Sequence, residues 1–144
     1  MGPNKGVFIT MRKTSCKVLL DTSTLMLIYD GVDPIELIDD AIEAKCEYLV
    51  PEPVIDELIR LSTQGIGFKS KAARLALKYL SGKVSVISLK GKKFKTADDF
   101  IKEYVKLNPD VIVATLDEDL KNYLKKLGIR IITWWFSKRK FIEI

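Results

Sequence analysis

Lys17-Val18-Leu19-Leu20-Asp21-Thr22-Ser23-Thr24-Leu25-Met26-Leu27-Ile28 is a short apolar run that closes on an acid and resumes after three hydroxyl residues. The pattern predicts a buried strand running into a helix over Thr24 to Ile28, a first βα unit. Four further strands, with helices between them, follow on the same reading. Asp33 and Pro34 open a helix to about Ala44, with Asp33 as N-cap and Pro34 at the first helical position. Tyr48-Leu49-Val50 is a second strand, and the helix begun by Pro53 ends near Gly65. A helix from Phe68 to Leu80 leads to a third strand, Val84 to Leu89, and to a lysine-rich connection from Lys90 to Lys95. Thr96 caps a helix from Ala97 to Leu107, which Asn108-Pro109 terminates. Val111 to Thr115 is a fourth strand, Asp117 to Leu127 a helix closed by Gly128, and Ile129 to Trp134 a fifth strand. Strands alternating with helices predict a three-layer α/β/α sandwich on a mostly parallel sheet of about five strands. Residues 16–144 form its single domain, and residues 1–15 read as a flexible N-terminal extension.

Composition narrows the chemistry. The 144 residues are 47% hydrophobic and 30% charged, which describes an ordinary globular domain and excludes disordered and collagen-like chains. At this length roughly 68% of the unfolded surface is buried on folding, so the core needs no metal staple. There is no histidine, which excludes Ser-His and Cys-His nucleophiles and His-ligated zinc. No stretch reaches the ~18 apolar residues that span a bilayer, so no membrane role is expected and the chain reads as cytoplasmic. Cys16 and Cys46 have no second pair and read as buried thiols. One Gln, three Asn, 16 Ile and 19 Lys resemble thermophile usage, a setting in which a Cys16–Cys46 bridge is the alternative.

Charge is unevenly placed. Between Leu58 and Ala97 there is no acid and there are ten cations, among them Lys69, Lys71, Arg74, Lys78, Lys92, Lys93 and Lys95. The rest of the chain carries 14 basic against 19 acidic residues, so the net charge of +5 originates in this segment. A polyanion is the partner that such a face fits, and a solvated lysine-rich surface is the plainer alternative. A second cluster, Lys138-Arg139-Lys140, adjoins Trp134, Trp135 and Phe136, aromatics that either stack on bases or cover a sheet edge.

In an open parallel sheet, ligands bind beyond the carboxyl ends of the strands where strand order reverses. Asp21 ends the first strand and Asp117 follows the fourth after Thr115-Leu116, so both enter one crevice if those strands are neighbours. Glu57, on the helix after the second strand, and Asp98, opening the helix before the fourth, are placed to join them. Converging carboxylates repel unless a cation is bound, and oxygen-only ligation selects Mg²⁺ or Mn²⁺. Read singly, Asp98 and Asp117 are helix caps or dipole partners and Glu57 a solvated helix residue. An acidic metal pocket beside a basic surface suits phosphodiester hydrolysis.

Leu19-Leu20-Asp21-Thr22-Ser23, Val50-Pro51 with Asp56-Glu57-Leu58, Ala97-Asp98-Asp99-Phe100-Ile101, and Val113-Ala114-Thr115-Leu116-Asp117-Glu118-Asp119-Leu120 resemble, in that order, the four acidic motifs of PIN-domain ribonucleases. The resemblance covers nearly the whole chain from about Cys16. It implies an α/β/α fold and a metal-dependent endoribonuclease whose catalytic and metal-binding acids are Asp21, Glu57, Asp98 and Asp117. The family's Asp-x-x-Ile/Leu pattern selects Asp98 with Ile101 and leaves Asp99 as a secondary candidate; Asp119 of the fourth motif is another, and Thr22, Ser23 and Thr115 would orient the ligands. Ser23 stands where many members have Asn, and Leu116 where an Asn commonly precedes the fourth acid.

RNA as substrate, single-stranded or structured, follows from the resemblance alone. Gly67 to Leu80 and the third and fourth motifs look more like the branch that processes ribosomal RNA than like VapC-type toxins. The partners implied are a ribosome-assembly factor on the first reading and an antitoxin on the second, with a homodimer in either case. A non-catalytic RNA-binding or assembly module is the alternative from another class. A haloacid-dehalogenase-type phosphotransferase also begins with a strand-end Asp, but it needs Asp-x-Asp, and Ser23 occupies the second position.

Overall fold

The computed structural model describes residues 16–144; the N-terminal extension expected over residues 1–15 lies outside them. Strand β1 (Lys17–Leu20) leads into helix α1 (Thr22–Leu25), a 3-10 turn (Met26–Asp30) and α2 (Pro34–Ile42). Strand β2 (Glu47–Pro51), α3 (Glu52–Gln64), α4 (Phe68–Leu80) and β3 (Ser85–Ile87) follow. The chain continues through α5 (Ala97–Leu107), β4 (Ile112–Ala114), α6 (Glu118–Lys126), β5 (Arg130–Trp135) and β6 (Lys140–Glu143). The six strands form one sheet in the order β3-β2-β1-β4-β5-β6. All neighbours are parallel except β6, which runs antiparallel to β5.

Alternation along the strands divides the core between the two faces of the sheet. Val18, Leu20, Val50, Ile112, Ala114, Ile132 and Trp134 face one side, where Leu25, Ile38, Val54, Leu58, Ala73 and Ala76 of α1 to α4 cover them. Leu19, Leu49, Val113 and Ile131 face the other, under Ile101 and Val105 of α5 and Leu120 and Leu124 of α6. Both layers are therefore apolar toward the sheet, which makes the α/β/α sandwich.

Local chemistry sets the helix ends where the sequence predicts them. Asp33 caps α2 by accepting from Glu36 N at 3.2 Å, and Thr96 caps α5 by accepting from Asp99 N at 3.1 Å. Gly128 ends α6 with φ near 74°, a left-handed conformation that lets the Ile129 N–H turn back to the Leu124 carbonyl at 3.0 Å. Tyr48 Oη donates to Asp39 at 2.7 Å, and Tyr79 Oη donates to Asp33 and accepts from Ile35 N, so α2 is fastened to β2 and to α4.

Four expectations are corrected. The helix expected over Thr24 to Ile28 starts at Thr22 and tightens into a 3-10 turn, because Asp21 caps the Thr22 N–H. The third strand shortens to Ser85–Ile87, the residues that pair with Leu49, Val50 and Pro51 at the sheet edge. The sheet has six strands rather than about five: Lys140–Glu143 folds back on β5, with Trp134 opposite Phe141 and their rings 5.0 Å apart. Cys16 and Cys46 are joined in a disulfide, not held as thiols. The parallel register pairs Lys17 with Glu47, so the residues just before each lie side by side, with Cα atoms 4.8 Å apart.

Candidate functional site

Strand order reverses between β1 and β4: from β1 the chain crosses to β2 on one side, and β4 returns on the other. Asp21 stands at this point, its N–H donating to the Ala114 carbonyl at 3.1 Å. The side chain is 5% exposed, and such a carboxylate needs donors on its oxygens. Oδ1 accepts from Thr22 N at 2.8 Å, and Oδ2 accepts from Ser23 Oγ at 3.1 Å and from Thr115 Oγ1 at 2.7 Å. The two hydroxyls in turn accept from the chain that leaves β4: Ser23 Oγ from Leu116 N at 3.0 Å, Thr115 Oγ1 from Asp117 N at 3.1 Å. This network locks the β1 and β4 exits together, and Ser23 supplies the polar link that the chain lacks at Leu116.

Asp117 is the N-cap of α6, with Oδ1 accepting from Leu120 N at 2.9 Å, and its side chain is otherwise exposed. Asp98, half-buried in the first turn of α5, has its pKa raised first by burial, then by the charges of Asp21 and Asp117, and lowered by Lys102. Asp21 is raised by burial above all, its three hydrogen bonds lower it, and Asp117 adds repulsion. Asp21 and Asp117 are thus linked through the Thr115 hydroxyl, and Asp98 lies close enough to feel the charge of both. Among the described residues, no three of His, Cys, Asp or Glu converge closely enough to chelate an ion by themselves. Glu57 joins from α3, where Oε1 accepts from Thr22 Oγ1 at 2.9 Å. It also lines a cleft of about 290 Å³ with Arg60, Phe94, Lys95 and Thr96.

The other candidates separate in space. Asp99 is exposed and lines a different cleft, with Lys92, Lys102 and Tyr123; Asp119 is exposed on the first turn of α6. Lys71, Arg74 and Lys78 recur at helical spacing and line one shallow cleft with Tyr29 and Leu75, whereas Lys69 falls off that stripe. Arg74 also binds structure, donating from Nη1 to the Ser62 carbonyl at 3.2 Å and to Ser70 Oγ. Lys92 is paired with Glu103 at 3.5 Å, Lys93 is exposed, and Lys95 borders the Glu57 cleft. Arg60 and Tyr29 were not singled out from the sequence. Arg60 carries a signal, since it lies one turn along α3 from Glu57; Tyr29 carries none, because it falls just beyond the helix expected over Thr24 to Ile28.

The family described as PIN like domain matches residues 18–135, which take in every acid of the crevice. The chain belongs to the PIN-like domain family. Its sequence is 30% identical over 129 residues to Ribonuclease VapC4 of Methanocaldococcus jannaschii, covering 89% of this chain and 95% of that protein. In structure it is similar to the PIN domain endonuclease Utp24, with a TM-score of 0.74 and 25% identity over 88% of this chain and 90% of that one. A domain of a functionally unknown protein from Methanocaldococcus jannaschii shares the PIN-like fold, with a TM-score of 0.56 at 24% identity over 84% of this chain and 92% of that one.

Proposed function

We propose that the protein is a divalent-cation-dependent endoribonuclease that hydrolyses RNA phosphodiester bonds at the crevice beyond β1 and β4. The observation that carries the reading is the buried Asp21 carboxylate at the strand-order switch, held by Thr22 N–H, Ser23 Oγ and Thr115 Oγ1, with Asp117 tied to the same Thr115 hydroxyl through its N–H. Membership of the PIN-like family and similarity to a ribonuclease and an endonuclease support it.

The donor set fits a hard cation. It offers only carboxylate and hydroxyl oxygens, and a cation among them would offset the burial and, secondarily, the mutual repulsion that disfavour the charged forms of Asp21 and Asp98. Because no three of these acids close on one point by themselves, Asp21, Asp98, Asp117 and Glu57 would hold Mg²⁺ or Mn²⁺ in part through water, and the ion when bound supplies a water of lowered pKa and offsets charge building on the phosphate. Thr115, Ser23 and the Thr22 N–H fix the Asp21 carboxylate, and Thr22 Oγ1 fixes Glu57. Lys95 and Arg60 flank Glu57 and attract the phosphates of the strand, while the Lys71, Arg74 and Lys78 stripe extends the grip with little sequence preference.

Maturation of ribosomal RNA in the cytoplasm, with a ribosome-assembly partner, is the role that the third and fourth motifs favour. The 30% identity to Ribonuclease VapC4 favours a second reading, a toxin restrained by an antitoxin. Homodimer formation belongs to either reading, and sedimentation of the purified chain tests it.

End-labelled single-stranded and stem-loop RNA, incubated with Mn²⁺, Mg²⁺ or EDTA, tests the activity. Cutting in either metal and none in EDTA is expected. The product ends should carry no 2′,3′-cyclic phosphate, because an external water attacks rather than the ribose hydroxyl. Tight RNA binding without cutting under every condition would favour a non-catalytic RNA-binding module instead.

A further inference from the structure

Trp134 and Trp135 are adjacent in sequence and opposite in situation. Trp134 is 5% exposed and packs edge-on against Phe141, so it does the work of holding β6 to the sheet. Trp135 and Phe136 are 41% and 64% exposed, an apolar surface that the fold does not need. Trp135 ends β5 and Phe136 opens the turn to β6. In it the Lys138 N–H bonds to the Trp135 carbonyl at 3.2 Å and the Arg139 N–H to the Phe136 carbonyl at 3.3 Å. Arg139 adopts a left-handed φ of 49°. Lys138 and Lys140 lie 5.7 and 5.8 Å from the centre of the Trp135 ring, and Arg139 lies 5.7 Å from that of Trp134. Among the described residues none of these three cations is ion-paired, and Glu143, the acid at the far end of β6, is committed to Arg130.

The turn sits on the same edge of the sheet as the carboxylates. Ala114 is in register with Leu20 on one side and with Ile132 on the other. Asp21 therefore begins where β5 is still at Thr133, and Trp135 stands about 10 Å further along the strand direction than Ile132. The turn thus lies beyond the carboxyl ends of β1 and β4, on the strand next to β4, at the same end of the sheet as Asp21.

We infer that this turn is a subsite for unpaired RNA: Trp135 and Phe136 stack on bases flanking the phosphate that reaches the carboxylates, and Lys138 and Lys140 hold the adjoining phosphates. The inference rests on the proposed endoribonuclease reading for its substrate and adds a recognition surface to it. Charge commits the occupant. Three cations without an acid in the turn call for a polyanion, and two copies of the turn would repel each other. Exposed rings between the cations add a contact that phosphate alone does not use, and bases supply it.

The test measures binding to a fluorescein-labelled single-stranded RNA oligonucleotide and to an abasic oligonucleotide of equal charge, both in EDTA, with cleavage in Mn²⁺ followed alongside. Wild type is compared with W135A/F136A, W135F and K138A/K140A, each checked by circular dichroism and thermal melting. The exposed rings are outside the core, so the variants should melt with wild type. RNA should quench indole fluorescence in wild type and not in W135F, which should keep its affinity because a phenyl ring still stacks. W135A/F136A should weaken RNA binding at least about thirtyfold with an unchanged salt slope and leave abasic binding unchanged. K138A/K140A should reduce the slope of log affinity against log salt by about 1.4. Equal affinity of wild type for RNA and the abasic strand, or W135A/F136A binding like wild type, overturns the inference, while cleavage by that same wild type leaves the nuclease reading standing. Loss of cleavage in wild type with the quenching and affinity changes intact would do the reverse. Quenching by polyglutamate in place of RNA would assign the turn to an acidic protein and overturn the inference.

Discussion

Asp21 is held by three donors and is still pushed above the ordinary carboxylate range, because burial outweighs the hydrogen bonds and Asp117 adds to it. Asp98 is raised by the same causes without comparable donors. A raised carboxylate pKa means that folding takes up a proton between the unfolded and folded values. The stability it contributes is therefore full at low pH and lost as pH rises through the folded pKa. Asp98→Asn should accordingly raise the melting temperature at neutral pH in EDTA, and the gain should vanish near about pH 3, where the acid is protonated in both states. Added Mn²⁺ should stabilise wild type more than this variant. Thr115→Ala, which frees Asp21 Oδ2 of its shortest hydrogen bond, should slow cleavage roughly 10- to 100-fold, and Thr115→Ser should restore it. Asp21 was legible in the sequence, since an acid closing Val18-Leu19-Leu20 can only lie where the chain leaves the core. The Ser23 bridge was not, because it depends on two chain segments 93 residues apart meeting at 3.0 Å.

At the level of elements, Asp117 has two duties that substitution can separate. Asparagine caps a helix as well as aspartate does, so Asp117→Asn should keep the cap while losing the charge that the proposed cation site would use. Asp117→Ala should lose the cap as well, at a cost of about 1 kcal/mol. The disulfide fastens the amino ends of β1 and β2 across a sequence separation of 30. Closing a loop of that size removes about 3.6 kcal/mol of chain entropy from the unfolded state in the entropic account. Reduction, or Cys16→Ser with Cys46→Ser, should lower the melting temperature without displacing the carboxylates, which lie at the other end of the strands. Helices were read well because their ends carry local signals such as Asp33, Thr96 and Gly128. Strand β6 was missed because Ser137-Lys138-Arg139-Lys140 reads as a charged tail; only the pairing of Phe141 with Trp134 makes it a strand. The disulfide was left open for a related reason: separation along the chain says nothing of register, and register is what brings Cys16 beside Cys46.

Across the whole molecule, the sheet places Asp21 and Asp117 at its carboxyl edge, and Arg60 and Lys95 border Glu57 nearby, so on the proposed reading a polyanion is drawn by cations past carboxylates that by themselves would repel it. The parallel architecture was legible because alternating apolar strands and amphipathic helices leave few other solutions, and it told in advance at which edge to look. Which cations serve the site was not legible, since composition cannot distinguish Lys95, beside Glu57, from Lys92, tied to Glu103. The central claim is that Asp21 and Asp117 act in one cation-dependent hydrolytic site. The most direct test is the rate of RNA cleavage in Mn²⁺ by wild type, Asp21→Asn, Asp117→Asn and, as a control outside the crevice, Asp110→Asn, with RNA affinity in EDTA and melting temperature measured on the same preparations. Residues that only orient ligands cost 10- to 100-fold, so both crevice variants should lose at least about a hundredfold while binding RNA like wild type, and Asp110→Asn should keep its rate. Cleavage that persists in Asp21→Asn or Asp117→Asn, or is lost equally in Asp110→Asn, would contradict the account.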